Sequence, residues 1–309
     1  MENKEVYDLI IIGGSAAATS AGIYAARRGL NFKIITKEFG GEVATSGEIG
    51  NWPGVNKTDG ITLAGQFKEH LKYYGIEPEE GVEVEKVIIE PDGNFLIKSN
   101  NGNYAAKTII VTTGVHPREL GVTGEKEFRN KGVSYCTVCD GPLFAGKVVA
   151  TIGGGNSALE SALMLTDVAS KVYVINKNMQ FKGDQILIEN LNQKKNVEII
   201  YNAKTAQIEG NEFVTGLKYK TEDSPQELEI KVDGIFIHIG MVPNSGLAPD
   251  GVKKDKFGQI GVNANCETSI QGLYAAGDVT DTPYKQIVIA AGMGATALLS
   301  AVNYLNRMK

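Results

Sequence analysis

The segment Asp8-Leu-Ile-Ile-Ile-Gly13-Gly-Ser15-Ala16-Ala17-Ala18 decides the architecture of this chain. An apolar run is broken by two glycines and then by small residues that continue into a helical stretch, 19–28. A turn at Gly29-Leu30-Asn31 leads to a second apolar run, Phe32-Lys-Ile-Ile35. The order is strand, Gly-rich turn, helix, strand, the unit that sets a helix N-terminus against a phosphate group. It recurs 140 residues further on, in Val148-Val-Ala-Thr-Ile-Gly153-Gly-Gly155-Asn156-Ser157-Ala158, a helical stretch 159–168, and Lys171-Val-Tyr-Val-Ile175. In both copies the residue after the second strand lies 23 positions past the first glycine, at Thr36 and at Asn176. That spacing suits a ribose contact.

A dinucleotide's pyrophosphate needs close backbone approach, so small residues belong at the first, third and sixth places of the turn. The second copy has Gly153, Gly155 and Ala158; the first has Gly13, then Ser15 and Ala18 where glycine is usual, and Ser15 adds a Cβ on the phosphate side. Short strands are expected around 82–90, 95–99, 108–112, 197–201, 213–220 and 234–239, and a helix over 284–307. Two Gly/Pro-containing breaks read as linkers, Gly114-Val-His-Pro-Arg118 and Gly240-Met-Val-Pro-Asn-Ser-Gly246. The expected fold is α/β: two Rossmann-like three-layer (ββα) nucleotide-binding domains, the second inserted into the first. The boundaries are 1–117 and 244–309 for the first domain and 118–243 for the second.

Composition agrees with an ordinary globular chain of about two domains: 309 residues, 42% hydrophobic and 22% charged. Lys+Arg 31 against Asp+Glu 36 leaves a net charge of −5 with no basic block, which argues against a nucleic-acid partner. Uninterrupted apolar runs such as 9–12 fall far short of the ~20 residues of a membrane span, and the start MENKEVYD has no signal-peptide shape. The expectation is a cytoplasmic protein without a membrane partner. Of three cysteines, two form Cys136-Thr-Val-Cys139, a spacing that suits reversible redox in a reducing compartment. The rival reading is half a zinc site, but structural zinc wants four ligands. The remaining pool, Cys266, His70, His116 and His238, offers no paired spacing, so no metal is expected. Cys266 reads as a small buried hydrophobe, and His116 and His238 as structural residues of a linker and an apolar strand.

These features resemble the low-molecular-weight thioredoxin reductase family of flavoproteins over essentially the whole chain. The residues that carry the likeness are the two nucleotide turns, Gly40-Gly41-Glu42, Asn51-Trp52-Pro53-Gly54, Ser134-Tyr-Cys136-Thr-Val-Cys139-Asp140-Gly141, and Ala276-Gly277-Asp278 with Tyr284-Lys285-Gln286. The stretches 146–160 and 266–309 look closer still to the reductase component of the alkyl hydroperoxide reductase system. That component carries an additional N-terminal thioredoxin-like module, so here the thiol carrier is expected to be a separate protein.

The resemblance implies an FAD domain, a nicotinamide domain bearing the Cys pair, and a homodimer. Electrons would pass from NAD(P)H to FAD, to Cys136/Cys139, and to a thioredoxin-like or glutaredoxin-like protein disulfide. Cys139 would be the flavin-side thiol, Cys136 the interchange thiol, and Asp140 the acid that supplies a proton to the leaving group. FAD contacts are implied at Gly13, Ser15, Ala16, Ala17, Thr36, Lys37, Gly41, Glu42, Asn51, Val84, Thr113, Gly114, Asp278, Gln286 and Ile287. Asp278 would meet the ribityl chain, and the helix start at Gln286 and Ile287 the pyrimidine edge. Glu42 stands where many relatives carry Gln, and a carboxylate there would lower the flavin potential. Nicotinamide contacts are implied at Gly153, Gly155, Asn156, Ser157, Asn176, Lys177, Lys182 and Gly240.

Relatives that use NADPH follow the second strand with a His-Arg-Arg stretch and a further Arg, a cluster suited to a 2′-phosphate. The corresponding stretch here is Asn176-Lys177-Asn-Met-Gln-Phe-Lys182, without arginine. NADH users place a Glu near Asn176, and Asn is neither solution. NADH is favoured over NADPH, and a different donor such as reduced ferredoxin, or a non-enzymatic redox sensor, are the alternatives.

Overall fold

The computed structural model describes residues 6–46, 48–221 and 224–308, leaving aside the side chains of residues 48, 139, 224 and 225. The chain forms two compact units, Met1–His116 with Val242–Lys309, and Pro117–Met241. One unit therefore interrupts the other, with crossings at His116/Pro117 and Met241/Val242.

In the first unit Val6–Ile12 pairs in parallel with Phe32–Ile35 on one side and Gly102–Val111 on the other, with Ile12 opposite both Ile35 and Val111. Leu273–Ala275 adds a parallel strand beside Gly102–Val111, while Phe95–Ser99 and Val84–Ile89 continue the sheet antiparallel. Alternation along the first strand assigns its faces. Leu9 and Ile11 pack on small residues of helix α1 (Ala16–Arg27) and of α6 (Ile287–Arg307), whereas Ile10 and Ile12 join Val87, Ile97 and Ile260 on the opposite face. Helix α2 (Gly60–Tyr73) begins at Asp59, whose carboxylate accepts from the Thr62 N–H at 2.9 Å and the Thr62 hydroxyl at 2.6 Å.

The second unit repeats the plan. Val197–Ile200, Lys171–Ile175, Val148–Ile152, Gly234–Ile237 and Val133–Ser134 form a wholly parallel sheet in that order. Val149, Val172, Val174 and Phe236 face helices α4 (Asn156–Thr166) and α5 (Gln185–Asn192). Ala150, Ile152, Ile175 and Ile235 face a three-stranded antiparallel sheet, Ala203–Gly210, Val214–Thr221 and Ser224–Lys231. These are the three layers. The short helix α3 (Thr137–Asp140) carries the Cys-Thr-Val-Cys turn.

One expectation is corrected. Counting uninterrupted apolar runs excluded a membrane-length segment, but α6, at 21 residues, is long and apolar enough by length and composition to cross a membrane. Its Gly, Ala, Thr and Ser residues interrupt the apolar run without making the helix polar. In the structure Gly294, Ala297, Leu298, Ala301 and Leu305 are buried, and Ala297, Leu298 and Ala301 join the core that α1 shares with the sheet.

Candidate active site

In each unit the glycine turn follows a parallel strand, Val6–Ile12 in the first and Val148–Ile152 in the second. Gly13 has φ 129°, and a Cβ there would strike the Thr112 carbonyl; Gly153 has φ 144°, and a Cβ would strike the His238 carbonyl. Both turns thus require glycine to pass close to a neighbouring strand end. In the first unit the Ser15 hydroxyl, expected on the phosphate side, donates to the Gly40 carbonyl at 2.6 Å, and Gly40 N–H donates to Gly14 O at 2.7 Å. The Gly40-Gly41-Glu42 loop is thereby fastened to the turn. Ser15 is the N-cap of α1 and its side chain caps nothing, so among the described residues the first N–H groups of the helix, at Ala16 and Ala17, keep no side-chain partner.

Other implied flavin residues assemble in the same unit. Asn51 donates through its amide to the Gln286 side-chain oxygen at 3.1 Å, joining positions 235 residues apart, and Gln286 caps α6 just before Ile287. Lys37 pairs with Glu83 at 3.0 Å, and Gly81 and Val82 N–H groups donate to Lys37 O and Thr36 O, bringing the start of the strand at Val84 beside Thr36. The Thr113 hydroxyl donates to Asn244 O at 2.7 Å, and the Asn244 N–H donates to Gly114 O at 3.0 Å. Burial pushes the Asp278 carboxyl above its usual range, with Lys285 acting in the opposite direction. No hydrogen bond to that carboxylate is found among the described residues. A desolvated acid without a protein donor, beside an uncapped helix start, fits a ligand that brings both hydroxyls and a pyrophosphate. FAD is such a ligand.

In the second unit a Cβ at Gly155 would meet nothing within 4 Å, and Gly155 caps α4 with no side-chain bond. Gly155, Asn156, Ser157, Lys177 and Lys182 are all exposed around this helix start. Asn156 and Asp184 exchange two bonds, at 3.0 and 2.7 Å, and Lys182 N–H donates to Gly154 O at 2.7 Å, so the 176–184 loop is tied to the turn. Gly240, with φ 108°, accepts from Arg118 N–H at 2.9 Å. The open space at Gly155 and the uncapped helix fit the pyrophosphate of a pyridine nucleotide.

The two residues at the 23-residue spacing behave alike. Thr36 donates to Glu38 O at 2.8 Å and lies where a Cβ at Gly14 would be; Asn176, 1% exposed, donates to Gln180 O at 3.0 Å and lies where a Cβ at Gly154 would be. Asn176 Oδ1 also accepts from the Asn178 N–H at 3.1 Å. Each side chain closes its own loop and packs on its turn.

Cys136 is disulfide-bonded, and Cys266 is a free, buried thiol that burial pushes up to about 11. Cys139 belongs to α3, but its side chain lies outside the described residues; Asp140 ends the helix with its N–H on Cys136 O at 3.1 Å. Ser134 Oγ accepts from the Cys136 N–H at 3.0 Å. Three anchoring residues escape sequence reasoning: Glu125, Thr137 and Ser161. Glu125, 1% exposed, accepts from Leu120 N–H, Gly121 N–H and the Tyr135 hydroxyl, each at 2.7 Å. Among the described residues no group of three or more His, Cys, Asp or Glu could hold a metal ion.

His238 yields a pH prediction. Burial lowers it to about 4 from an ordinary 6.5. Between those values the unfolded chain binds the proton that the folded chain refuses. The stability from the neutral ring is full above pH 6.5 and declines as pH falls towards 4, by about 3 kcal/mol in all at about 1.4 kcal/mol per unit. Denaturant unfolding of the protein and of His238→Gln checks this: the stability gap between them shifts by about 2–3 kcal/mol against the histidine protein from pH 7 to 4.5. A pH-independent gap contradicts it.

The comparisons agree with this architecture. A family model for pyridine nucleotide-disulphide oxidoreductases matches residues 7–294, and the chain belongs to that family. It is similar to a solved thioredoxin reductase from T. acidophilum, with 38% identity and a TM-score of 0.81, covering 99% of this chain and 100% of that one. It is 39% identical to a component of the alkyl hydroperoxide reductase of Escherichia coli (strain K12), over 100% of this chain and 60% of the relative. It is 40% identical to "NADH dehydrogenase" of Bacillus subtilis (strain 168), over 99% of this chain and 60% of the relative. The chain thus spans about 60% of the length of these curated relatives. Two Rossmann-like domains, a disulfide oxidoreductase class, and use of FAD with a pyridine nucleotide follow from the family.

Proposed function

We propose that this protein passes electrons from NADH, by way of FAD, to the Cys136/Cys139 pair and on to the disulfide of a thioredoxin-like or glutaredoxin-like protein. The observation that carries the reading is the disulfide at Cys136, set in a Cys-x-x-Cys-Asp turn that belongs to the unit bearing the open Gly155 turn. Bound FAD would supply hydride acceptance and release of two electrons. The remaining steps belong to side chains of this chain. In the reduced pair the Cys136 thiolate attacks one sulfur of the partner disulfide, forming a mixed disulfide and expelling a partner thiolate. Asp140, the acid in the turn, is the proton source for that leaving group. Cys139 then attacks the Cys136 sulfur, expels the second partner thiolate and restores the internal disulfide, so two electrons move to the partner.

The missing arginines around Asn176 and the name of the Bacillus subtilis relative favour NADH. Lys177 and Lys182 are exposed cations at the same loop, and NADPH remains the second nucleotide to assay. The test is steady-state nucleotide oxidation by the holoenzyme with a thioredoxin-like disulfide protein. Oxidation should require that protein and run faster with NADH; nucleotide oxidation indifferent to any protein disulfide would refute the reading.

A further inference from the structure

Both neighbours of Cys136 are tied to buried groups, and one of these ties also touches the nucleotide turn. On one side Tyr135 donates to Glu125, itself held by two backbone N–H groups. On the other side Thr137 is 4% exposed, with its Oγ1 2.5 Å from Ser161 Oγ on α4 and 2.8 Å from His238 Nε2. His238 follows the strand Gly234–Ile237; its N–H donates to Ile152 O at 2.8 Å, and its carbonyl is the group that a Cβ at Gly153 would strike. The ring therefore holds the redox turn while the backbone of the same residue borders the nucleotide turn. Burial keeps the ring neutral at ordinary pH. Ser161 donating to Thr137, and Thr137 donating to an unprotonated Nε2, uses each hydroxyl proton once.

We infer that His238 is a positioning residue for the redox pair: through the Thr137 hydroxyl it holds the turn in the geometry of the Cys136 disulfide and so favours the oxidised over the reduced form. The inference rests on the redox role proposed above. The hydrogen bonds described are those of the disulfide-bonded turn. Reduction breaks the covalent link between two sulfurs and lets them separate. Thr137 adjoins Cys136, whereas its partners sit on a packed helix and a strand end, so separation lengthens the Thr137 bonds. Loss of one such bond in the oxidised state alone shifts the dithiol/disulfide equilibrium about fivefold, about 1 kcal/mol or ~20 mV for a two-electron couple.

The experiment equilibrates the holoenzyme with mixtures of reduced and oxidised dithiothreitol, traps free thiols by alkylation and counts them by mass. One dithiothreitol supplies two electrons and two protons and closes to its cyclic disulfide. His238→Ala should be reduced in buffers about fivefold more oxidising than the parent protein requires, and Thr137→Val should move the same way. His238→Gln, whose amide can meet the same hydroxyl, should stay within about twofold of the parent. Should His238→Ala fold poorly, Ser161→Ala removes only the outer hydroxyl, and a shift of the same sign is expected. Unchanged equilibria in the folded variants, or shifts of opposite sign, would overturn the inference, because a purely structural role weakens both redox forms equally. Failure of the underlying redox reading looks different: NADH would then release no thiols from the parent protein.

Discussion

Replacing Cys136 with serine is expected to abolish NADH-driven reduction of a protein disulfide, on the order of 10³-fold or more, while bound flavin is still reduced by the nucleotide. Two roles of Cys136 explain the size of the effect. It is disulfide-bonded, and in the proposed function it is the sulfur that attacks the partner. A hydroxyl at this position is far less nucleophilic than a thiolate and cannot form a mixed disulfide. Serine is near in volume, and Cys136 lies half-buried in a turn fixed through Tyr135 and Thr137, so the fold should survive. The checks are turnover with a thioredoxin-like disulfide, flavin absorbance in a single anaerobic reduction, and a melting curve. Residual turnover within tenfold of the parent would remove Cys136 from the electron path.

Gly13→Ala is expected to yield protein largely without flavin and less stable by about 2–4 kcal/mol. The backbone sits at φ 129°, which a side chain resists, and the new Cβ would meet the carbonyl and hydroxyl of Thr112. Neither group can step aside. The Thr112 N–H and hydroxyl both bond to Ile12 O, at 2.8 Å each, and Ile12 is paired with Val111 inside the parallel sheet. The turn itself would have to shift, carrying the start of α1 with it. Gly29→Ala is the control: Gly29 also has positive φ, 64°, but a Cβ there meets nothing within 4 Å. Its cost should be about 1 kcal/mol, with flavin retained. Flavin content per protein and denaturant unfolding decide the matter, and full flavin content in Gly13→Ala would refute the assignment of this turn.

The chemistry of the site was written in residues close together in sequence, and those were legible. The turns at Gly13 and Gly153, the strands on either side of each helix, and the Cys-x-x-Cys-Asp turn all announce themselves through local spacing. What escaped depends on distant partners or on weak local contrast. Helix α2 carries an Asp59/Thr62 cap that was available as a signal, but its apolar stripe is thin, with Leu63, Ala64, Phe67 and Leu71 buried among polar residues. The strands Ala203–Gly210 and Ser224–Lys231 are rich in charged and polar residues, because the antiparallel sheet buries one face only, and their apolar signal is thin. Glu125 looks like any surface acid in Gly-Glu-Lys-Glu; its burial follows from two backbone N–H groups and a tyrosine ten residues on. His238 reads as a structural residue of an apolar strand, but the partner of its ring, a threonine 101 residues away, has no signal in the sequence. Thr36 and Asn176 show the limit of spacing rules. The rule expects a ribose contact at each position; in the structure both side chains lie beside the turn and each satisfies its own loop.

The most direct measurement is an anaerobic titration of the purified holoenzyme with NADH, and separately with NADPH, following visible flavin absorbance and alkylatable thiols together. Rapid flavin bleaching by NADH is expected, with the appearance of two new thiols located at Cys136 and Cys139. Bleaching by dithionite but by neither nucleotide would contradict it and assign the protein another electron donor.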